Sequence, residues 1–192
     1  EHRMFEKLVT DSMVTWTEAY KIDGFRMDLM EHLMKSSVEK ALVAIQAVRP
    51  DAWIFGEGWN FGEVKDNARG INATQFNMAG TGIGTFNDRL RDGVRGGGPF
   101  DGGAYLESNL GFASAGSRFD TALNNRMDLI RIGMAGNLQD YAFTTANGTT
   151  KKGVEIDYGG VGAGYAKDPQ EAINYVEKHD NQTLWDMIQY KA

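Results

Sequence analysis

Apolar residues along this chain fall into two spacings that alternate. Phe5, Leu8, Val9, Met13 and Trp16 recur every three or four positions, which predicts an amphipathic helix over 5–20. A period of two follows over 22–29 and predicts a strand: Phe25, Met27 and Leu29 face one way, Gly24, Arg26 and Asp28 the other. Helical spacing returns over 36–48, with Val38, Leu42, Ile45 and Val48 on one face. There Ser36-Ser37-Val38-Glu39 reads as a capping box and Arg49-Pro50 as the stop. Short apolar runs predict further strands over 52–55, 83–86 and 171–178, and helices over 87–94, 123–135 and 182–190. The stretch 96–116 has the composition of a loop, and 135–164 reads as an irregular excursion. Strands alternating with helices argue for βα units and a parallel sheet. Four units with no closing partner read as a piece of something larger.

Composition narrows the class. Of 192 residues, 42% are hydrophobic and 24% charged, which are globular values for one ordinary domain. A net charge of −6 and the lack of a basic run argue against nucleic acid or an anionic membrane as partner. Cysteine is absent, which excludes disulfides and thiolate chemistry. No apolar run reaches transmembrane length. The 24 glycines lie well above the roughly 7% of average usage, and with four tryptophans they suit shaped loops around a site.

Three carboxylates interrupt or follow predicted strands. Asp28 shares a face with Arg26, whose guanidinium favours the ionised carboxylate. Glu57 lies in Gly56-Glu57-Gly58-Trp59, where glycines on either side let the backbone turn and a ligand approach. Asp180 lies in Lys178-His179-Asp180-Asn181. Each stretch alone also has a plain structural reading. Arg26–Asp28 can be a strand-capping ion pair, Glu57 a solvated turn residue, Asp180 or Asn181 a helix N-cap, and His179 a hydrogen-bonded core histidine. Together, at the C-terminal ends of parallel strands, the acids are expected to crowd onto one rim. Glycoside hydrolysis needs such a pair, one carboxylate ionised and one carboxyl protonated. Asp28 beside Arg26 suits the first role, and Glu57 near Trp59 the second. A nucleotide reading of Gly80-Thr81-Gly82-Ile83-Gly84 fails, since Thr85 stands where a dinucleotide fingerprint needs glycine. Asn72, Asn147 and Asn181 begin Asn-X-Thr patterns, which are too short to carry weight.

Asp23-Gly24-Phe25-Arg26-Met27-Asp28, Gly56-Glu57-Gly58-Trp59 and His179-Asp180-Asn181 resemble the second, third and fourth motif regions of the α-amylase superfamily, glycoside hydrolase family 13. The strings G-T-G-I-G-T-F-N-D-R-L-R-D, R-G-G-G-P-F-D and Y-V-E-K-H-D-N-Q-T-L-W-D are similar to type I pullulanases in particular. The resemblance implies an α/β chain that is a fragment of a (β/α)8 TIM barrel, roughly strands four to seven. Residues 1–192 would then be part of one catalytic barrel, incomplete at both ends. It implies a retaining hydrolase of α-1,6 bonds in pullulan, glycogen or amylopectin limit dextrins. By match to the motifs, Asp28 would be the nucleophile, Glu57 the general acid and then base, and Asp180 the residue that grips sugar hydroxyls and distorts the ring. Arg26 and His179 would hold nucleophile and sugar, and Trp59 would offer a stacking face. No cofactor is implied for the chemistry; the complete enzyme admits structural calcium, but the sequence identifies no metal ligands. The partner would be a branched α-glucan or pullulan oligosaccharide, met outside the cell or at its surface, since polymers do not cross membranes. The superfamily's first motif is missing, as is the upstream Tyr-Asn-Trp-Gly-Tyr signature. The chain alone is therefore expected to be inactive and prone to aggregate. A catalytically silent α-glucan-binding relative and an α-1,4-acting member of the superfamily remain as alternatives.

Overall fold

The computed structural model describes residues 2–116 and 121–191 as a mixed α/β chain that divides into two compact units, 1–86 and 87–192. In the first unit, helix α1 (Arg3–Tyr20) ends at Lys21, whose left-handed backbone turns its N–H back to the Trp16 carbonyl. Strand β1 (Gly24–Met27), helix α2 (Lys35–Val48), strand β2 (Trp53–Gly56), the one-turn helix α3 (Gln75–Met78) and strand β3 (Gly84–Phe86) follow. β1 and β2 pair in parallel, Gly24 opposite Trp53 through Met27 opposite Gly56, and β3 adds to β2 in the same sense. The parallel sheet expected from the alternating pattern is present. Met13, Met30, Val38, Ala41, Ile45, Ile54, Met78 and Ile83 form the core beneath it.

Two local expectations for this unit do not hold. Of the apolar face predicted for α1, Phe5, Leu8 and Trp16 remain exposed, while Met13 and Thr17 are the buried pair. Periodicity identifies an apolar stripe but not what covers it. The capping box at Ser36 is absent as well. α2 begins at Lys35 with Met34 as N-cap, and Ser37 Oγ instead donates to Glu6 Oε2 at 2.5 Å. An ionised acceptor on α1 outcompetes a local cap.

The second unit begins with helix α4 (Asp88–Arg95), capped by Asn87, whose side chain accepts from Leu90 N. Helix α5 (Gly103–Ser108) interrupts the stretch expected to be loop, and helix α6 (Thr121–Met134) packs along α4. Closeness depends on two glycines. A Cβ on Gly93 would lie 3.0 Å from the Arg126 carbonyl, and one on Gly133 2.9 Å from Leu90 Cβ. The excursion after α6 is more regular than expected. It holds two antiparallel hairpins, β4 (Ala142–Thr144) with β5 (Thr150–Lys152) and β6 (Asp157–Tyr158) with β7 (Val161–Gly162). The fourth predicted strand shrinks to β8 (Ala172–Ile173), after a turn of 3-10 helix at Pro169–Glu171. Beyond it 174–183 has no regular structure, because Asn174 and Tyr175 are held by side-chain bonds rather than a ladder. Helix α7 (Leu184–Lys191) then starts at a reciprocal pair: Asp186 N donates to Thr183 Oγ1 at 3.1 Å and Thr183 N to Asp186 Oδ2 at 3.3 Å. Thr183, and neither Asp180 nor Asn181, caps this helix. Among the described residues no helix is long and apolar enough to cross a membrane.

Candidate functional site

Arg26 gathers the first two acids. It sits in β1 at the third of four positions, and Asp28 follows the strand's last residue by one. The alternation that puts them on one face brings Arg26 Nη1 to 2.6 Å from Asp28 Oδ1. The other nitrogen, Nη2, lies 3.2 Å from Glu57 Oε1. Its Cζ stands 5.8 Å from the centre of the Phe86 ring, a cation–π contact that keeps the guanidinium over the sheet's end. One cation therefore serves two carboxylates of unequal exposure: the Asp28 side chain is 69% exposed and that of Glu57 7%.

Glu57 is fixed from the backbone. Its N–H donates to the Met27 carbonyl at 3.2 Å, and its Oε2 accepts the Leu29 N–H at 2.8 Å. Leu29 adopts a left-handed conformation, φ 45° and ψ 43°, which costs a branched residue about 1 kcal/mol or more. The turn after β1 is thus bent against preference to aim an amide at the buried acid. The flanking glycines are also required for packing. A Cβ on Gly56 would fall 2.5 Å from the Met27 carbonyl, and one on Gly58 2.9 Å from Thr85 Cγ2 and 3.1 Å from the Gln75 amide. Both are buried and press against neighbouring backbone. Gly58→Ala is expected to cost about 1–3 kcal/mol of stability through overpacking, read as a lower thermal midpoint. An unchanged midpoint would mean the loop yields freely.

Trp59 follows, half-buried, and the loop beyond it is closed by Asn60 and Asp66, joined by two bonds of 2.8 Å. The sequence reading missed a third acid in this unit. Glu31 is 0% exposed, and neither carboxylate oxygen has a hydrogen-bond partner among the described residues. His32 Nε2 is 4.0 Å from Glu31 Oε1. Burial pushes the Glu31 carboxyl above the usual range and the Glu57 charge adds to it; the Glu31 and Trp59 amides, near the carboxyl but outside hydrogen-bonding geometry, pull the other way, as does His32. An acid embedded in Leu29-Met30-Glu31-His32-Leu33-Met34 was the available signal, since an isolated charge among apolar residues is a candidate for burial.

The third acid and the histidine belong to the second unit. Asp180 does not follow a strand directly; it lies in the irregular segment, seven residues after β8 ends. Lys178 Nζ is bound to its Oδ2, and His179 Nε2 is 3.5 Å from the same oxygen. His179 is exposed, so it is not a core histidine. The base of this segment rests on a buried polar array from α4. Arg91 Nε donates to Asp92 Oδ1 at 2.7 Å, the Tyr158 hydroxyl to Asp92 Oδ2 at 2.6 Å, and Arg91 Nη1 to the Tyr175 hydroxyl at 2.9 Å. Burial pushes the Asp92 carboxyl up against the pull of Arg91, and pushes the Tyr175 hydroxyl to about 12. Among the described residues no group of three or more His, Cys, Asp or Glu could hold a metal ion.

No family model matches the chain. Its likeness to named proteins is extensive nonetheless. It is 52% identical over 200 residues to a protein named pullulanase from Klebsiella pneumoniae, covering 100% of this chain and 18% of that one. It superposes on the maltotriose complex of PulA from Klebsiella pneumoniae with a TM-score of 0.93 and 51% identity, covering 100% of this chain and 21% of that one. The maltose complex of pullulanase type I from Bacillus subtilis strain 168 gives 0.69 and 28% identity, covering 100% and 22%. Fold and sequence alike place the chain with the pullulanases, as an α/β segment of proteins several times its length. Within that class the likeness read from the motifs holds: it is to type I pullulanase, and it is carried by a partial chain.

Proposed function

We propose that the chain is part of a starch-debranching glycosidase that cleaves α-1,6-glucosidic bonds by a retaining double displacement. The observation that carries this reading is Arg26 shared between an exposed and a buried carboxylate. A retaining glycosidase needs one carboxylate kept ionised for attack and a second carboxyl that gives and takes a proton. Asp28, exposed and bonded to a guanidinium, is the nucleophile. Glu57, buried and held by the Leu29 amide, is the acid that protonates the leaving oxygen and then the base that activates water. Arg26 orients both, and Trp59 offers an indole face to the sugar. Asp180 and His179 are assigned to the sugar hydroxyls. The whole chain, 1–192, is proposed to be strands four to seven of a (β/α)8 barrel, inactive without the remainder and acting outside the cell on polymeric α-glucan. The maltotriose and maltose held by the two solved relatives are oligosaccharides of the size this reading requires.

A second reading has one observation behind it. Asp180 is already engaged by Lys178 and flanked by His179, which suits a protein that binds glucan without cleaving it. The complete protein incubated with pullulan separates the two. Maltotriose as product is expected from α-1,6 cleavage. Panose would move the protein to an α-1,4-acting relative, and no product from a folded sample would favour binding alone.

A further inference from the structure

The segment 174–183 carries His179 and Asp180 without a backbone ladder of its own, so side chains must fix it. Its first residues are well tied. Asn87 Nδ2 donates to Asn174 Oδ1 at 2.7 Å, Asn174 Nδ2 to the Gly133 carbonyl at 3.0 Å, and Arg91 to Tyr175. After Asp180, Thr183 is paired with Asp186 on α7 and Leu184 N donates to Glu177 Oε2, so both ends of 178–183 are tied while its middle depends on contacts from elsewhere. Asn181 Nδ2 reaches the Pro99 carbonyl only at 3.5 Å, and Asn181 itself is left-handed at φ 64°. A second contact on the middle of the segment comes from α4: Arg95 Nη1 donates to the Gln182 carbonyl.

Arg95 is an unusual residue for a plain structural duty. It is 1% exposed, and its Nε and Nη2 are buried without a hydrogen-bond partner among the described residues. Burial, and then the Arg91 charge, pull its pKa below the usual guanidinium range. For packing alone, an apolar side chain of similar volume would serve better than a desolvated cation with two idle nitrogens. What the guanidinium supplies, and methionine cannot, is a rigid donor aimed at the backbone two residues after Asp180. We infer that Arg95 is a positioning residue that holds the 179–182 backbone so that Asp180 is presented in one geometry. The inference rests on the reading of Asp180 as the carboxylate that grips the sugar.

Arg95→Met, Arg95→Lys and Asp180→Asn in the complete protein test it, with thermal midpoint, amide hydrogen exchange across 176–183, and kcat and KM on pullulan as readouts. Arg95→Met is expected to leave the midpoint unchanged or raised while exchange at 179–183 accelerates. The kcat should fall about tenfold or more with a smaller change in KM, because misplacing a site group acts on the transition state. Arg95→Lys, which keeps the charge but not the fork, should restore part of both effects, and it carries the test if the methionine variant does not fold. Unchanged exchange in a folded variant overturns the tether. Faster exchange with undiminished hydrolysis, while Asp180→Asn abolishes it, overturns the positioning role. Undiminished hydrolysis in Asp180→Asn sinks the reading of Asp180 and the catalytic half of the inference, and the exchange data then decide the tether alone.

Discussion

Asp28→Asn in the complete protein is expected to lower pullulan hydrolysis by a factor of about 10³ or more while leaving the fold as stable as before. The two halves of that expectation have separate causes. Hydrolysis falls because an amide cannot form the glycosyl-enzyme bond that the proposed mechanism requires. Stability is spared because the Asp28 side chain is 69% exposed, and an exposed ion pair contributes little. Glu57→Gln should lose hydrolysis on a similar scale but behave differently as a folded protein. Its side chain is 7% exposed and accepts the Leu29 N–H, and Arg26 Nη2 lies 3.2 Å from its Oε1. A glutamine there keeps one acceptor and turns a donor toward the neighbourhood of a guanidinium, at a cost of about 1–3 kcal/mol. Kinetics on pullulan, glucan binding and thermal midpoints, measured side by side, check the pair. Binding that survives in Asp28→Asn while hydrolysis vanishes supports the nucleophile. Residual hydrolysis within about tenfold of the parent removes Asp28 from the covalent step.

The arrangement around Arg26 was half legible beforehand. Alternation along β1 is a local rule, so Arg26 and Asp28 fell on one face from spacing alone and meet at 2.6 Å. The strands β1, β2 and β3 and the helices α1 and α2 were legible for the same reason. Leu29 was not, since nothing in a leucine announces a left-handed backbone, and the acid that receives its amide lies 28 residues away in sequence. For Gly56 and Gly58 the sequence suggested a turn and room for a ligand but not the close packing, because flexibility and smallness are written with the same letter. Here smallness decides: carbonyl and amide groups occupy the space a side chain would need. The segment around Asp180 is the clearest gap. Glu171 to Lys178 has strand-like composition, yet only Ala172–Ile173 is strand. Much of what fixes the remainder comes from Asn87, Gly133, Arg91 and Arg95, distant in sequence and invisible to any local pattern. Helix α5 was hidden by the glycines on either side of it.

Glu31 leads to a prediction of the opposite sign from that for Glu57. Its carboxyl is raised by burial, so the folded protein retains a proton that the unfolded chain releases. The folded state then binds more protons than the unfolded one from the ordinary glutamate value up to the raised one. The contribution to stability is complete below that window and is lost as pH rises through it. Glutamine has the same shape and cannot ionise. Glu31→Gln should therefore match the parent in acid and become the more stable of the two as pH rises toward neutrality. The groups facing Glu31 do not reverse this. Glu57 adds repulsion, and the Glu31 and Trp59 amides and His32, 4.0 Å away, act the other way without outweighing burial. Thermal midpoints of parent and variant across that range are the measurement, with a gap that widens as pH rises. A variant less stable than the parent near neutrality would mean that the Glu31 carboxylate is held by a partner in the complete protein. Glu31 would then belong to the working site beside Glu57, and its burial would be a cost the fold bears for that work.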